Sequence, residues 1–163
     1  MPESNILDIE TNYTTDSKIN KVEYHSYNPY TNSFNNNDEI RIGVQQTDVY
    51  PYLHESFLFI EGKITDPTTV KLSNNGLSFL FDQVRLEING VEVDGTRVLG
   101  ITSSLKGYLT CTLNNYHCYQ NAGWDLNNKS IVNEAGEFSV CIPLKYWLGF
   151  FAISSFSTIK PHK

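Results

Sequence analysis

Gln83-Val84-Arg85-Leu86-Glu87-Ile88-Asn89-Gly90-Val91-Glu92-Val93 is the stretch on which the fold turns. Val84, Leu86 and Ile88 alternate with Arg85 and Glu87, the period of a strand with one buried face. Asn89-Gly90 follows. A two-residue type I′ turn needs positive φ at both central positions, and Asn and Gly adopt it at least cost. Val91-Glu92-Val93 then resumes the alternation. The stretch predicts a β-hairpin.

The same period recurs upstream. In Ser56–Ile64 one face carries Leu58, Ile60, Gly62 and Ile64, and the other carries Phe57 and Phe59. That predicts a strand whose first half is covered on both sides, ended by Asp66-Pro67. Glu39–Gln45 alternates cleanly through Ile40, Ile42 and Val44, and Val22–Tyr27 does so weakly; both are read as strands. Asn28–Asp38 between them is a loop, and Asn74-Asn75-Gly76 is a turn. Leu77–Phe81 is apolar without a decisive period.

Downstream, Val98–Leu109 places Ile101, Leu105, Tyr108 and Leu109 at i, i+4, i+7 and i+8, the core-facing stripe of a helix. Thr102 or Ser103 is its expected N-cap. Tyr116–Trp124 reads as a loop, and Glu137–Ile142 as a strand stopped by Pro143. Leu144–Phe151 is densely apolar and aromatic. The tally is about six strands and one helix, the pattern of a sandwich or barrel.

Composition agrees. The chain has 163 residues, the length of one domain. Charged residues are 18% of it, so its polar surface must rest on Asn, Ser and Thr, which suit strands and loops better than helices. The net charge of −6 argues against sequence-independent nucleic-acid binding, which needs a basic field. Neither a secretory leader nor an apolar run of membrane-spanning length is visible, so the expectation is a soluble, intracellular protein with no membrane partner. The polar residues 1–20 read as a flexible arm, residues 21–151 as the folded domain, and residues 152–163 as a divergent tail.

Three separated blocks resemble a known family. They are Tyr52–Ile64, Leu77–Leu109 with its Phe-Asp-Gln-Val-Arg-Leu-Glu-Ile-Asn-Gly core and Gly-Ile-Thr-Ser-Ser-Leu-Lys-Gly-Tyr helix, and Phe138–Phe151. In this order they are similar to the double jelly-roll-like domain of Polinton/Maverick and adintovirus-type elements, whose proteins look like major capsid proteins. The resemblance implies a jelly-roll β-sandwich, a trimer of such units and a shell-building role, inside a virion if the element is active. The family's protein has two jelly rolls and this chain has room for one. It is therefore read as the first roll, incomplete, from a truncated or host-integrated copy, whose partner is itself or a missing second roll. An unfinished sandwich of that kind exposes strand edges and is expected to be sticky and marginally stable.

Reactive groups offer little chemistry. Cys111, His117 and Cys118 form one loose cluster without the second ligand pair of a structural zinc site. Cys141, even with His54 or His117, reads as a packed strand residue rather than an activated nucleophile. Glu87 and Glu92 flank the hairpin turn as solvated charges, and Asp94 and Arg97 are expected to pair. No catalytic, cofactor-binding or metal residue is assigned, and no cofactor is expected; the reading is non-enzymatic. The residues assigned to an interface are Trp124, Tyr146, Trp147, Phe150 and Phe151, part of an aromatic cluster in the last third, because the five residues Trp147-Leu148-Gly149-Phe150-Phe151 of one short segment are not expected all to point inward. The alternative is a monomeric, lectin-like jelly-roll module that binds a ligand through its Asn- and Tyr-rich loops.

Overall fold

The computed structural model describes residues 21–124 and 131–152. The arm of residues 1–20 and the tail from residue 153 onward lie outside the described residues. The chain divides into two compact units, residues 1–50 with 160–163, and residues 51–159. In the first, the two expected strands are absent. Pro29 and Ile42 form an isolated antiparallel bridge, and the Tyr30 N–H donates to the Arg41 carbonyl at 3.0 Å. Ile40, Ile42 and Val44 face solvent. Alternation states which residues share a face. A strand also needs a ladder partner and an apolar layer, and none of the described residues of this unit is buried.

The second unit carries the sheets. β1 (Phe57–Lys63) pairs antiparallel with β4 (Glu137–Pro143), and β2 (Gln83–Ile88) pairs with β3 (Val91–Arg97). The described residues thus hold four strands in two small antiparallel sheets, with α1 (Leu99–Thr110) and α2 (Tyr116–Asn121). The fold is mainly β and jelly-roll-like, as expected, with two helices where one was expected.

The hairpin forms as its sequence dictates. Asn89 and Gly90 have φ of 52° and 78°. One departure matters. The register shifts so that Glu87 faces Glu92 while Leu86 faces Asp94, which leaves Val93 bulged and exposed. The bulge turns Asp94 and Thr96 onto the face shared with Leu86 and Val84. There the Asp94 carboxylate accepts the Phe150 N–H at 2.7 Å, so it does not serve as the Arg97 partner, and the Thr96 hydroxyl donates to the Trp147 carbonyl at 2.7 Å.

In β1 the inner face is Leu58, Ile60 and Gly62, opposite Ile142, Val140 and Phe138 of β4. A Cβ on Gly62 would lie 2.6 Å from the Phe138 ring, so glycine is what lets that ring cover the strand. Phe57 and Phe59 stay in solvent, Phe59 at 60% exposure, contrary to the two-sided cover expected for this strand.

α1 is turned over. The stripe expected to face the core points outward: Ile101, Leu105, Tyr108 and Leu109 are 61–78% exposed. Leu99, Gly100, Ser103 and Gly107 are buried instead. The reason is steric. A Cβ on Gly100 would sit 2.4 Å from the Phe79 ring, and one on Gly107 would sit 2.2 Å from the Trp124 ring. The small face lets aromatic rings lie against the helix backbone. The N-cap is Val98, with no side-chain hydrogen bond, rather than Thr102 or Ser103.

A polar network fixes this docking. Asn75 is buried at φ 57°, a conformation Asn tolerates better than most residues. Its Nδ2 donates to the Ser103 and Ser104 hydroxyls at 2.7 and 2.9 Å, and its Oδ1 accepts the Ser78 hydroxyl at 2.5 Å. Asn75→Ala loses both the amide network and the tolerated backbone, and is expected to cost about 2–3 kcal/mol. Asn75→Gly keeps the backbone freedom and is expected to cost about 1 kcal/mol less. Urea unfolding of the two variants separates the contributions; equal losses would mean that the backbone plays no part.

The segment expected as a loop at Tyr116–Trp124 contains α2. The Asn115 side chain accepts the Thr112 N–H at 2.6 Å and donates to the Thr110 carbonyl at 3.0 Å, turning the chain from α1 into α2. α2 then buries Tyr119, which stacks on Tyr146 at 4.5 Å between ring centres and meets Trp124 edge-on at 5.4 Å. A six-residue helix with one inward residue leaves no readable period.

Candidate assembly surface

The aromatic residues assigned to an interface are core residues or pack on the core. Trp147 is 4% exposed, Trp124 and Phe151 are buried with it, and Tyr146 and Phe150 are half-buried against them. The expectation that so short a segment cannot turn them all inward fails for a geometric reason. Leu144–Tyr146 and Phe150–Ala152 are 3-10 turns, which wrap the segment through the core instead of along its edge.

This segment is held from all sides. The Trp147 Nε1–H donates to the Ser78 hydroxyl at 3.0 Å, and its ring meets Phe81 at 5.6 Å. The Leu144 N–H donates to the Ser56 carbonyl at 2.9 Å. Lys106 Nζ donates to the Lys145 carbonyl at 2.6 Å, and burial pushes the pKa of that ammonium down. His54 Nδ1 lies 2.8 Å from the Phe151 carbonyl and donates to it. His54 is thereby a strut between the start and the end of the unit, not a base beside Cys141.

The reactive groups follow suit. Burial pushes the Cys141 thiol up, the opposite of what an attacking thiolate needs. Burial likewise raises the Tyr146 and Tyr119 hydroxyls, with the Thr110 hydroxyl bonded to Tyr119 at 2.6 Å. Among the described residues no three His, Cys, Asp or Glu side chains come together in a way that could hold a metal ion, Cys111, His117 and Cys118 included. Glu87 and Glu92 are cross-strand neighbours, and Glu92 reaches Arg85 at 4.0 Å. That is the solvated charge pattern expected of them.

Two kinds of unfinished surface remain. The first is backbone. Each sheet has two strands, so among the described residues every strand pairs on one side only. An edge of this kind is a template for another strand. The second is apolar. The outer face of β1 presents Phe57 and Phe59 beside Cys141 of β4, then Glu61 and Lys63, with Lys63 pairing to Glu137 at 3.8 Å. An apolar end followed by a charged end gives that face a direction. The sequence contained this signal, in the alternation that put Phe57 and Phe59 opposite Leu58 and Ile60, but the expected two-sided cover concealed it.

A family model described as a double jelly roll-like domain matches residues 70–155, more than half of the chain. The matched stretch holds the hairpin, both helices, β4 and the Trp147 segment, while β1 precedes it. No curated protein and no solved structure matches the chain. No helix of the described residues is long and apolar enough to cross a membrane.

Proposed function

We propose, given that the chain belongs to the double jelly roll-like domain family, that it is a structural subunit of a capsid-type assembly. Its work is packing. Stiff sheets and a well-bonded core set a shape, and unfinished surfaces join that shape to copies of itself or to a further jelly roll. The observation that carries this reading is the set of two-stranded sheets whose edges are open among the described residues. Jelly rolls close their edges by pairing strands into larger sheets, and a strand from a neighbour completes such an edge through main-chain hydrogen bonds. The resemblance of the three sequence blocks to the capsid-like proteins of Polinton-type elements supports the same role.

The reading is tested on the purified chain by light scattering after size exclusion, with electron microscopy of the eluted species. A trimer or a larger ordered particle is expected. A chain that stays at 18.6 kDa at high concentration, melts sharply and binds a sugar or peptide saturably would replace it with a ligand-binding module.

A further inference from the structure

We propose that the outward stripe of α1 is a contact between two copies of this chain, with the two helices crossing about a two-fold axis. The inference rests on the assembly reading above and names the surface that joins one trimer to the next, since a two-fold contact by itself closes a dimer and not a trimer.

The stripe is not a stray exposed leucine. Val98, Ile101, Leu105, Tyr108 and Leu109 are each more than half exposed. From these exposures the five residues offer on the order of 600 Å² per copy, most of the roughly 800 Å² that each partner of a standard stable interface gives up. The largest apolar patch of an ordinary monomer is about 300–600 Å².

The charge pattern points to a copy of the same chain. The net charge is −6, so copies repel at most of their surface. α1 has no acidic residue, and its one charged residue, Lys106, is tied to the Lys145 carbonyl of its own chain. This helix is where two copies of an acidic chain meet without opposing carboxylates. A single apolar stripe along a twelve-residue helix is also self-complementary, as an isologous contact requires. The small, buried face of α1 is already occupied by Trp124 and Phe79, so the stripe does not compete with the fold for the same side chains.

The test compares the full chain with a double variant, Leu105→Glu and Leu109→Glu, by sedimentation equilibrium over a concentration series. Both side chains are largely in solvent, so circular dichroism and the melting curve are expected to stay unchanged. Association is expected to weaken about 100-fold or more, because each contact would bury unpaired carboxylates. The milder Leu105→Ala is expected to weaken it about tenfold. Phe59→Glu on the sheet is expected to leave the α1-mediated step intact. An assembled wild-type chain whose mass the double variant retains overturns the inference and leaves the assembly reading standing. A wild-type chain that is monomeric throughout overturns both. Binding of the wild-type chain to phosphatidylcholine vesicles, lost in the double variant and without self-association, overturns the inference by assigning the stripe to a lipid surface.

Discussion

Trp147→Ala is expected to destabilise the chain by about 3–5 kcal/mol, the cost of emptying a packed aromatic site that cannot collapse. A domain of this size has about 5–15 kcal/mol in total, so the variant loses a third or more of its stability. The ring is 4% exposed and packs beside Phe81, while the Trp147 carbonyl accepts the Thr96 hydroxyl of β3. Its Nε1–H is one of the two bonds on the Ser78 hydroxyl, which lies under the Asn75 network. The loss therefore spreads to the docking of α1. Urea unfolding of the monomeric fraction is the measurement. Phe59→Ala, on the exposed sheet face, is the control, and is expected to stay within about 0.5 kcal/mol. If Trp147→Ala leaves monomer stability unchanged and weakens association instead, then Trp147 is an interface residue and not part of the core.

What was legible in the sequence was local. The hairpin was, because Asn89-Gly90 fixes its turn without reference to anything distant. β4 and β1 were legible one at a time from their period, but their pairing was not: Phe57 meets Pro143 across most of the unit. The bulge at Val93 escaped for a related reason. It exists to turn Asp94 and Thr96 toward Phe150 and Trp147, which are remote in sequence. In the first unit the clean alternation over Glu39–Gln45 has the period of a strand without being one, since period says nothing of whether a partner exists. The candidate surface was half legible. Period places Phe57 and Phe59 on the face of β1 opposite Leu58 and Ile60, but it does not tell a covered face from the exposed one they occupy. The aromatic segment is not legible as core, because its 3-10 turns, which let so short a stretch turn its side chains inward, carry no sequence period. In α1 the error ran deeper, because counting apolar residues finds the larger hydrophobic face and assigns it inward. A face of Gly100, Ser103 and Gly107 at i, i+3 and i+7 was equally visible, and it is the face that admits large rings from elsewhere.

That inversion has a consequence of definite sign. Gly107→Leu is expected to destabilise the chain by about 3 kcal/mol, and Gly107→Ala by about 1–2 kcal/mol. Two effects oppose each other. Replacing glycine inside a helix gains about 1 kcal/mol for Ala and slightly less for Leu. Against that, a Cβ at this position would lie 2.2 Å from Trp124 Cζ2 and 2.4 Å from its Cη2, so the ring must move. Trp124 is buried and meets both Tyr108 and Tyr119 edge-on, which leaves it little room to yield. Overpacking costs about 1–3 kcal/mol for a methyl, and approaches this short to a ring with little room to yield put the cost in the upper half of that range, about 2–3 kcal/mol, while a leucine displaces the ring from its site at a cost of about 3–5 kcal/mol. The steric cost therefore wins at both sizes. Had the apolar stripe faced the core, Gly107 would lie in solvent, and both substitutions would stabilise the helix by up to about 1 kcal/mol. Thermal unfolding of Gly107→Ala alone decides which face of α1 is inside. A rise in melting temperature would turn the helix back over and remove the surface on which the two-fold contact is built.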